Sequence, residues 1–190
     1  MNIHLQHSAR MRGSSLIMGF LIAMLLGSSP VIAGQPYYDR SHEFSIQFPD
    51  GWTIKRSSNP ETVIKAVYRD TLDRIAQITI AAYRLPKIVS QAEANELSPD
   101  DMWEGFKEQF ADFAVKRHAA GITRIRSRRA VWNLIEITDP PQARSIAKHY
   151  HFVRGSILYR VTAITDSGAA FFQEVLPIME ESIGTLAFGL

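Results

Sequence analysis

Phe44–Lys55, read FSIQFPDGWTIK, commits this chain to a fold built on a sheet. Phe44, Ile46 and Phe48 alternate with Ser45 and Gln47, the two-residue period of a strand with one buried face. Pro49-Asp50-Gly51 marks a turn, because proline presets φ and glycine tolerates positive φ. Trp52 and Ile54 then restart the alternation. The stretch predicts an antiparallel hairpin at the start of a sheet.

The segment before it has a different character. Arg10 and Arg12 precede the apolar run Leu16–Leu26, and Val31-Ile32-Ala33 closes on a small residue. This is the pattern of a secretory signal, and the run is shorter than the roughly 20 residues a spanning helix needs. The expected organisation is a signal peptide over 1–33 and a single domain over 34–190. Met11 offers an alternative start to Met1, since the segment from there is itself a complete signal. The expected location is extracytoplasmic, periplasmic or secreted. With no cysteine, there is no lipidation site, disulfide or thiol chemistry.

Removing 33 of the 190 residues leaves about 157, enough for one domain with a sizeable core. The two arginines leave with the signal, so 21 basic residues fall to 19, matching the 19 acidic ones. The sequence pI near 9.0 is therefore partly a property of the leader, and nucleic acid is not an expected partner.

Further strands are predicted over Thr62–Tyr68 and Ile75–Tyr83. A long polar connection follows. Ser98-Pro99-Asp100-Asp101 is a helix start, with a capping serine, an N-terminal proline and acids at the positive end of the dipole. Met102, Phe106, Phe110 and Phe113 recur at helical spacing, which carries the predicted helix to about His118, with Gly121 as its stop. Strands are expected over Ile122–Arg128 and Arg129–Thr138. A second hairpin, Ser145–Val153 with Ser156–Ile164, is expected to close around Arg154-Gly155. That register sets His149 opposite Arg160 and His151 opposite Leu158. A last helix runs from about Gly168 to Ile183, with Pro177 expected to kink or split it. The fold class is α+β, a largely antiparallel sheet with helices packed on it.

Three groups of residues bear on chemistry. His149 and His151 form an H-x-H on a strand, so both imidazoles share a face and are candidates for a divalent metal. Zinc, manganese or calcium would need further ligands. Arg124, Arg126 and Arg128 alternate as a basic ridge suited to an acidic protein partner or anionic headgroups. Asp70, Asp73, Asp100 and Asp101 are too few and too scattered for a calcium loop. No G-x-S-x-G, H-E-x-x-H, P-loop or G-x-G-x-x-G is present, and an enzyme is not expected. Trp52, Trp103 and Trp132 are expected as core or core-edge anchors.

FSIQFPDGW near the start, the late strand GSILYRVTAIT and the terminal ESIGTLAF together resemble the PsbP, Mog1 and DcrB-like superfamily, over about Tyr38 to Phe188. The resemblance implies an α/β/α sandwich on a largely antiparallel sheet. It also implies a non-catalytic binding or assembly protein. Members named for PsbP serve the oxygen-evolving side of photosystem II, where calcium or manganese retention is associated with them. Other members bind a small GTPase or reside in bacterial envelopes. In a photosynthetic host the expected location becomes the thylakoid lumen. Cyanobacterial relatives are typically lipoproteins, and this chain lacks the cysteine for that.

Two readings of function follow. The first is an exported PsbP-like binding or assembly protein acting on a membrane-associated protein complex, including one related to photosystem II. The second is a periplasmic metal-binding protein using His149 and His151. Intact-mass measurement of the protein recovered from its host is expected to place the N-terminus at Gly34. A mass that retains the Leu16–Leu26 run would overturn the cleaved-signal reading.

Overall fold

The protein is described here from a computed structural model, in which residues 34–57, 62–139 and 143–189 are described. The signal reading over 1–33 lies outside the described residues. In chain order the elements are β1 (Gly34–Asp39), β2 (Phe44–Pro49), β3 (Thr53–Arg56), β4 (Thr62–Arg69), β5 (Ile75–Arg84), α1 (Gln91–Glu96), α2 (Pro99–Gln109), β6 (Ala114–Ile125), β7 (Arg128–Asp139), β8 (Ala143–Arg154), β9 (Ile157–Thr165), α3 (Ala169–Gly184) and β10 (Ala187–Phe188). Seven strands form an antiparallel sheet in the order β3-β4-β5-β9-β8-β7-β6, and β1-β2-β10 form a second, smaller sheet. This is the expected α+β architecture, with helices on both faces of the larger sheet.

The opening hairpin does not form. β2 pairs with β1 and β10, whereas β3 pairs with β4 in the other sheet. The turn itself is present, with Gly51 at φ 79° and the Trp52 amide donating to the Pro49 carbonyl at 3.4 Å. What it makes is a corner between sheets. Phe44, Ile46, Phe48 and Trp52 are all buried, and Phe44 meets Tyr159 of β9 edge-on at 6.3 Å. Their shared drive to leave water lays β2 over the large sheet, and two other strands satisfy its backbone.

α3 packs on the same side. It buries Phe171, Phe172, Val175, Met179 and Ile183 and runs unbroken through Pro177. Pro177 and Gln173, whose carbonyl loses its helical donor, are both on the exposed face, so water is available to the freed group. At the helix end, the Ser182 hydroxyl donates to the Gln47 carbonyl at 2.6 Å, and the Gln47 amide donates to Thr185 Oγ1 at 2.8 Å. These bonds clip α3 to β2.

α2 lies on the opposite face. Ser98 caps it as predicted, in a reciprocal box with Asp101. The helix ends at Gln109, well short of His118. Phe110 stacks on Phe106 at 4.4 Å, and Phe113 turns back onto Phe110 at 5.7 Å, so the aromatic spacing is met by a reversal of the chain. From Ala114 the chain pairs with β7. The connection before α2, expected as a long polar stretch, holds α1 with its own Ser90–Glu93 capping box.

The second hairpin closes around Gly155-Ser156, one residue later than expected, with Gly155 at φ 58° in the first central position of the turn. Arg154 therefore pairs with Ile157, which sets His149 opposite Thr162 and His151 opposite Arg160. Gly121 is not a helix stop. It lies mid-strand opposite Trp132, whose ring covers it. Of the tryptophans, Trp52 is buried and stacks on Tyr68 at 5.8 Å, while Trp103 and Trp132 are half-buried at the core edge.

A Cβ added at Gly121 would approach Trp132 Cζ2 to 2.9 Å. Gly121→Ala is expected to destabilise the protein by about 1–3 kcal/mol through overpacking. Urea denaturation checks this, and an unchanged midpoint would mean that the Trp132 ring yields freely.

Candidate functional site

The two faces of β8 are used differently. Ile146, Tyr150 and Phe152 join the core under α3, while Ala147 packs beneath α2 with Phe106 and Ile135. His149 and His151 share this second face. α2 is pinned above it at its N-terminal end. The Asn133 side-chain amide donates to the Pro99 carbonyl at 3.1 Å, Arg129 donates to the Leu97 carbonyl at 2.5 Å, and Arg117 pairs with Asp100 at 2.6 Å.

Between helix and sheet is a cavity of about 370 Å³. Asp101, Met102, Gly105 and Phe106 of α2 form its roof. Tyr83 of β5, His151 of β8, and Leu158 and Arg160 of β9 form its floor. The Arg160 guanidinium lies over the Tyr83 ring, 5.2 Å from its centroid. His149 lies deeper, with its ring 5.0 Å from that of Phe106. The two imidazoles are nearly parallel, 6.4 Å apart.

Both histidines are buried, only 6% and 7% exposed. His149 Nδ1 is 2.9 Å from the Thr162 hydroxyl, but its Nε2 has no partner, and neither has His151 Nδ1. Such orphaned polar atoms are uncommon in folded interiors. Burial pushes His149 well below the ordinary imidazole range, with His151 and Arg160 adding to the effect. Burial, then Arg160, brings His151 down to about 4. Both rings are therefore neutral at neutral pH, each with one N–H and one lone pair.

The structure thus brings the H-x-H pair together on one face, as the spacing predicts, and supplies little else for a metal. Among the described residues, no group of three or more His, Cys, Asp or Glu side chains converges to hold an ion. Two imidazoles fill only half of a tetrahedral zinc shell, and Arg160 faces His151 across the strand pair. The acidic residues are used elsewhere. Asp70 accepts from the Leu72 and Arg74 amides, both at 2.9 Å, and from Arg74 Nε at 2.6 Å, which holds the β4–β5 turn. Asp100 and Asp101 serve the start of α2.

The basic ridge is not a strand face. Arg124 is near the end of β6, Arg126 occupies the turn at φ 54°, and Arg128 opens β7. The reversal at Arg126-Ser127 breaks the alternation that the spacing implied. The three instead surround one turn. Arg124 donates to the Ser127 carbonyl at 3.1 Å, and Arg128 lies over Phe188 at 5.8 Å. Arg126 donates to the Thr185 carbonyl at 3.4 Å, where the C-terminus of α3 favours a cation.

Sequence reasoning missed the cavity itself. Its one signal was Gly105, the residue without a side chain on an otherwise bulky helix face. It also missed a lock on the opposite face of β8, where Lys148 (2.6 Å) and the Tyr150 hydroxyl (2.5 Å) both bind Glu180 Oε1 on α3. Burial, then the bond to Glu180, raises Tyr150 far above the ordinary phenol range.

No family profile matches the chain, and no curated protein does. Solved structures do. Cyanobacterial PsbP from Synechocystis superposes with a TM-score of 0.60 at 12% identity, covering 85% of this chain and 96% of that one. LpqN of Mycobacterium tuberculosis, described as involved in cell envelope biogenesis, superposes at 0.60 with 8% identity, covering 82% and 90%. A Pseudomonas aeruginosa protein gives 0.51 at 15% identity, covering 81% and 96%. The fold is PsbP-like. At these identities the likeness is one of fold, and the buried histidine cavity is described from this chain's own residues.

Because folding lowers the histidine pKa values, the unfolded chain binds more protons between the ordinary value of 6.5 and the folded value near 4. The stabilising effect of keeping His151 neutral is present above pH 6.5 and is lost as pH falls toward 4. It amounts to on the order of 3 kcal/mol. Replacing both histidines by phenylalanine is expected to flatten the pH dependence of unfolding between 7 and 4. An unchanged slope in denaturation series would show that neither ring is buried neutral.

Proposed function

We propose that this PsbP-like chain is an exported, non-catalytic binding or assembly protein that acts on a membrane-associated protein complex of the cell envelope. The observation that carries the reading is the fold shared, at a TM-score of 0.60 each, with cyanobacterial PsbP over 85% of this chain and with the envelope-biogenesis protein LpqN over 82%. The leader pattern at Arg10–Ala33 supports export. No helix among the described residues is long and apolar enough to cross a membrane. The three arginines around the β6–β7 turn supply a compact cationic surface for an acidic partner.

A second reading has its own support. The unpartnered Nε2 of His149 and Nδ1 of His151 are atoms through which imidazoles bind metals. It would make the chain a periplasmic metal-binding protein. Calorimetry with zinc, manganese and calcium tests it, and unchanged zinc affinity in a His149→Ala/His151→Ala variant would remove it.

Crosslinked pull-down of the tagged protein from its host's membranes is expected to recover an envelope complex. Changing Arg124, Arg126 and Arg128 to glutamate is expected to lower recovery by about tenfold or more, a loss of about 1.4 kcal/mol or more in binding. Photosystem subunits among the recovered proteins would narrow the role to photosystem II. Recovery of nothing above background would overturn the assembly reading, and unaffected recovery by the triple variant would overturn the surface assignment.

A further inference from the structure

We infer that the cavity between α2 and the sheet is a binding site for a small monocarboxylate with an apolar body, its carboxylate directed to Arg160 and His151 Nδ1. The inference goes beyond the assembly reading and does not depend on it. The cavity, at about 370 Å³, lies at the lower end of the range of small-ligand sites, about 300–1,000 Å³. Its walls divide by chemistry. Met102, Phe106 and Leu158 offer apolar surface, and Arg160 and His151 offer a polar end.

The polar end selects charge. Arg160 is a fixed cation beside the cavity, so a cationic ligand is disfavoured there. His151 is buried, lines the same space and leaves Nδ1 without a partner. His151 Nδ1 has almost no accessible surface where it stands, so the ring must turn to bring it to the cavity, where a neutral imidazole carrying its proton on Nδ1 donates to a carboxylate oxygen and the orphan is removed. Arg160 and His151 are cross-strand neighbours on β9 and β8, so one carboxylate can meet both. Asp101 also lines the cavity, from the first turn of α2, where its Oδ2 accepts from Ser98, and its charge disfavours a second anionic group on the ligand. A monoanion with a hydrocarbon or aryl body meets both constraints. A phosphate dianion meets neither.

Gly105 gives a test that spares the polar groups. Nothing lies within 4 Å of a Cβ built there, and the residue lines the cavity. A leucine side chain at 105 has room to extend over the cavity, and leucine favours a helix where glycine does not.

The experiment is calorimetry at pH 7 on the purified full-length protein, with acetate, hexanoate, phenylacetate, the neutral phenylacetamide, inorganic phosphate and zinc. Hexanoate or phenylacetate is expected to bind about tenfold or more tighter than acetate and phenylacetamide. Arg160→Gln is expected to weaken that binding by about tenfold, and Gly105→Leu to abolish it with an unchanged circular dichroism spectrum. If Arg160→Gln fails to fold, Gly105→Leu alone decides. In parallel, phenylacetate is expected to shift the imidazole nitrogen resonances of His151. The inference is overturned if no carboxylate binds, if phenylacetamide binds as well as phenylacetate, if Gly105→Leu leaves binding unchanged, or if phosphate or zinc binds more tightly than every carboxylate.

Discussion

β8 must be covered on both faces, and the rest of the molecule is arranged around that requirement. One face presents Ile146, Tyr150 and Phe152, which are met by α3 and the small sheet. The other presents Ala147, His149 and His151, which lie under α2. Each face imposes a different solution. The aromatic face is closed by stacking, with Phe152 5.2 Å from Tyr159 and Phe188 against both. Its polar atoms are all answered, since Lys148 and Tyr150 converge on Glu180 and the Tyr159 hydroxyl donates to the His42 carbonyl at 2.7 Å. The histidine face is closed only in part.

That asymmetry locates the candidate site. α2 is held at its N-terminal end by Arg129, Asn133 and Arg117, all from strands at one side of the sheet. Its Gly105 leaves a gap over β9 and β5. Burial without full hydrogen bonding is costly, of order 1–3 kcal/mol for each orphaned group. His149 Nε2 and His151 Nδ1 are two such atoms, and of the two residues His151 lines the cavity. Burial keeps both imidazoles neutral in the meantime, and the fixed positive charge of Arg160 adds to the effect.

Much of the fold was legible in the residues. β4, β5, β7, β8, β9 and α3 follow from alternation or helical periodicity, and the Ser98-Pro99 start of α2 from capping chemistry. The failures share a cause. Local patterns specify an element's period but not its partner. FSIQFPDGWTIK has the pattern of a hairpin, yet β2 and β3 belong to different sheets. Phe106, Phe110 and Phe113 have helical spacing, yet the last is reached by a reversal. The arginine ridge looked like one strand because the positive φ at Arg126 is unusual outside glycine and leaves no compositional mark. The H-x-H pair was legible as a shared face. Its cavity was not, because its lining comes from three strands and a helix.

By itself, then, the sequence determined the α+β class, most strand and helix segments, the shared face of His149 and His151, and the leader pattern. These are properties of residues close together along the chain, where periodicity and backbone preference act directly. Tertiary structure alone decided the division into two sheets, the two-residue shift that set Arg160 opposite His151, the burial of both histidines and the space under Gly105. The register shift is set by the Gly155-Ser156 turn, and the others depend on contacts between residues tens of positions apart, whose energies come from apolar burial and packing. Apolar burial is non-directional, so the sequence pattern cannot name the partner it will find.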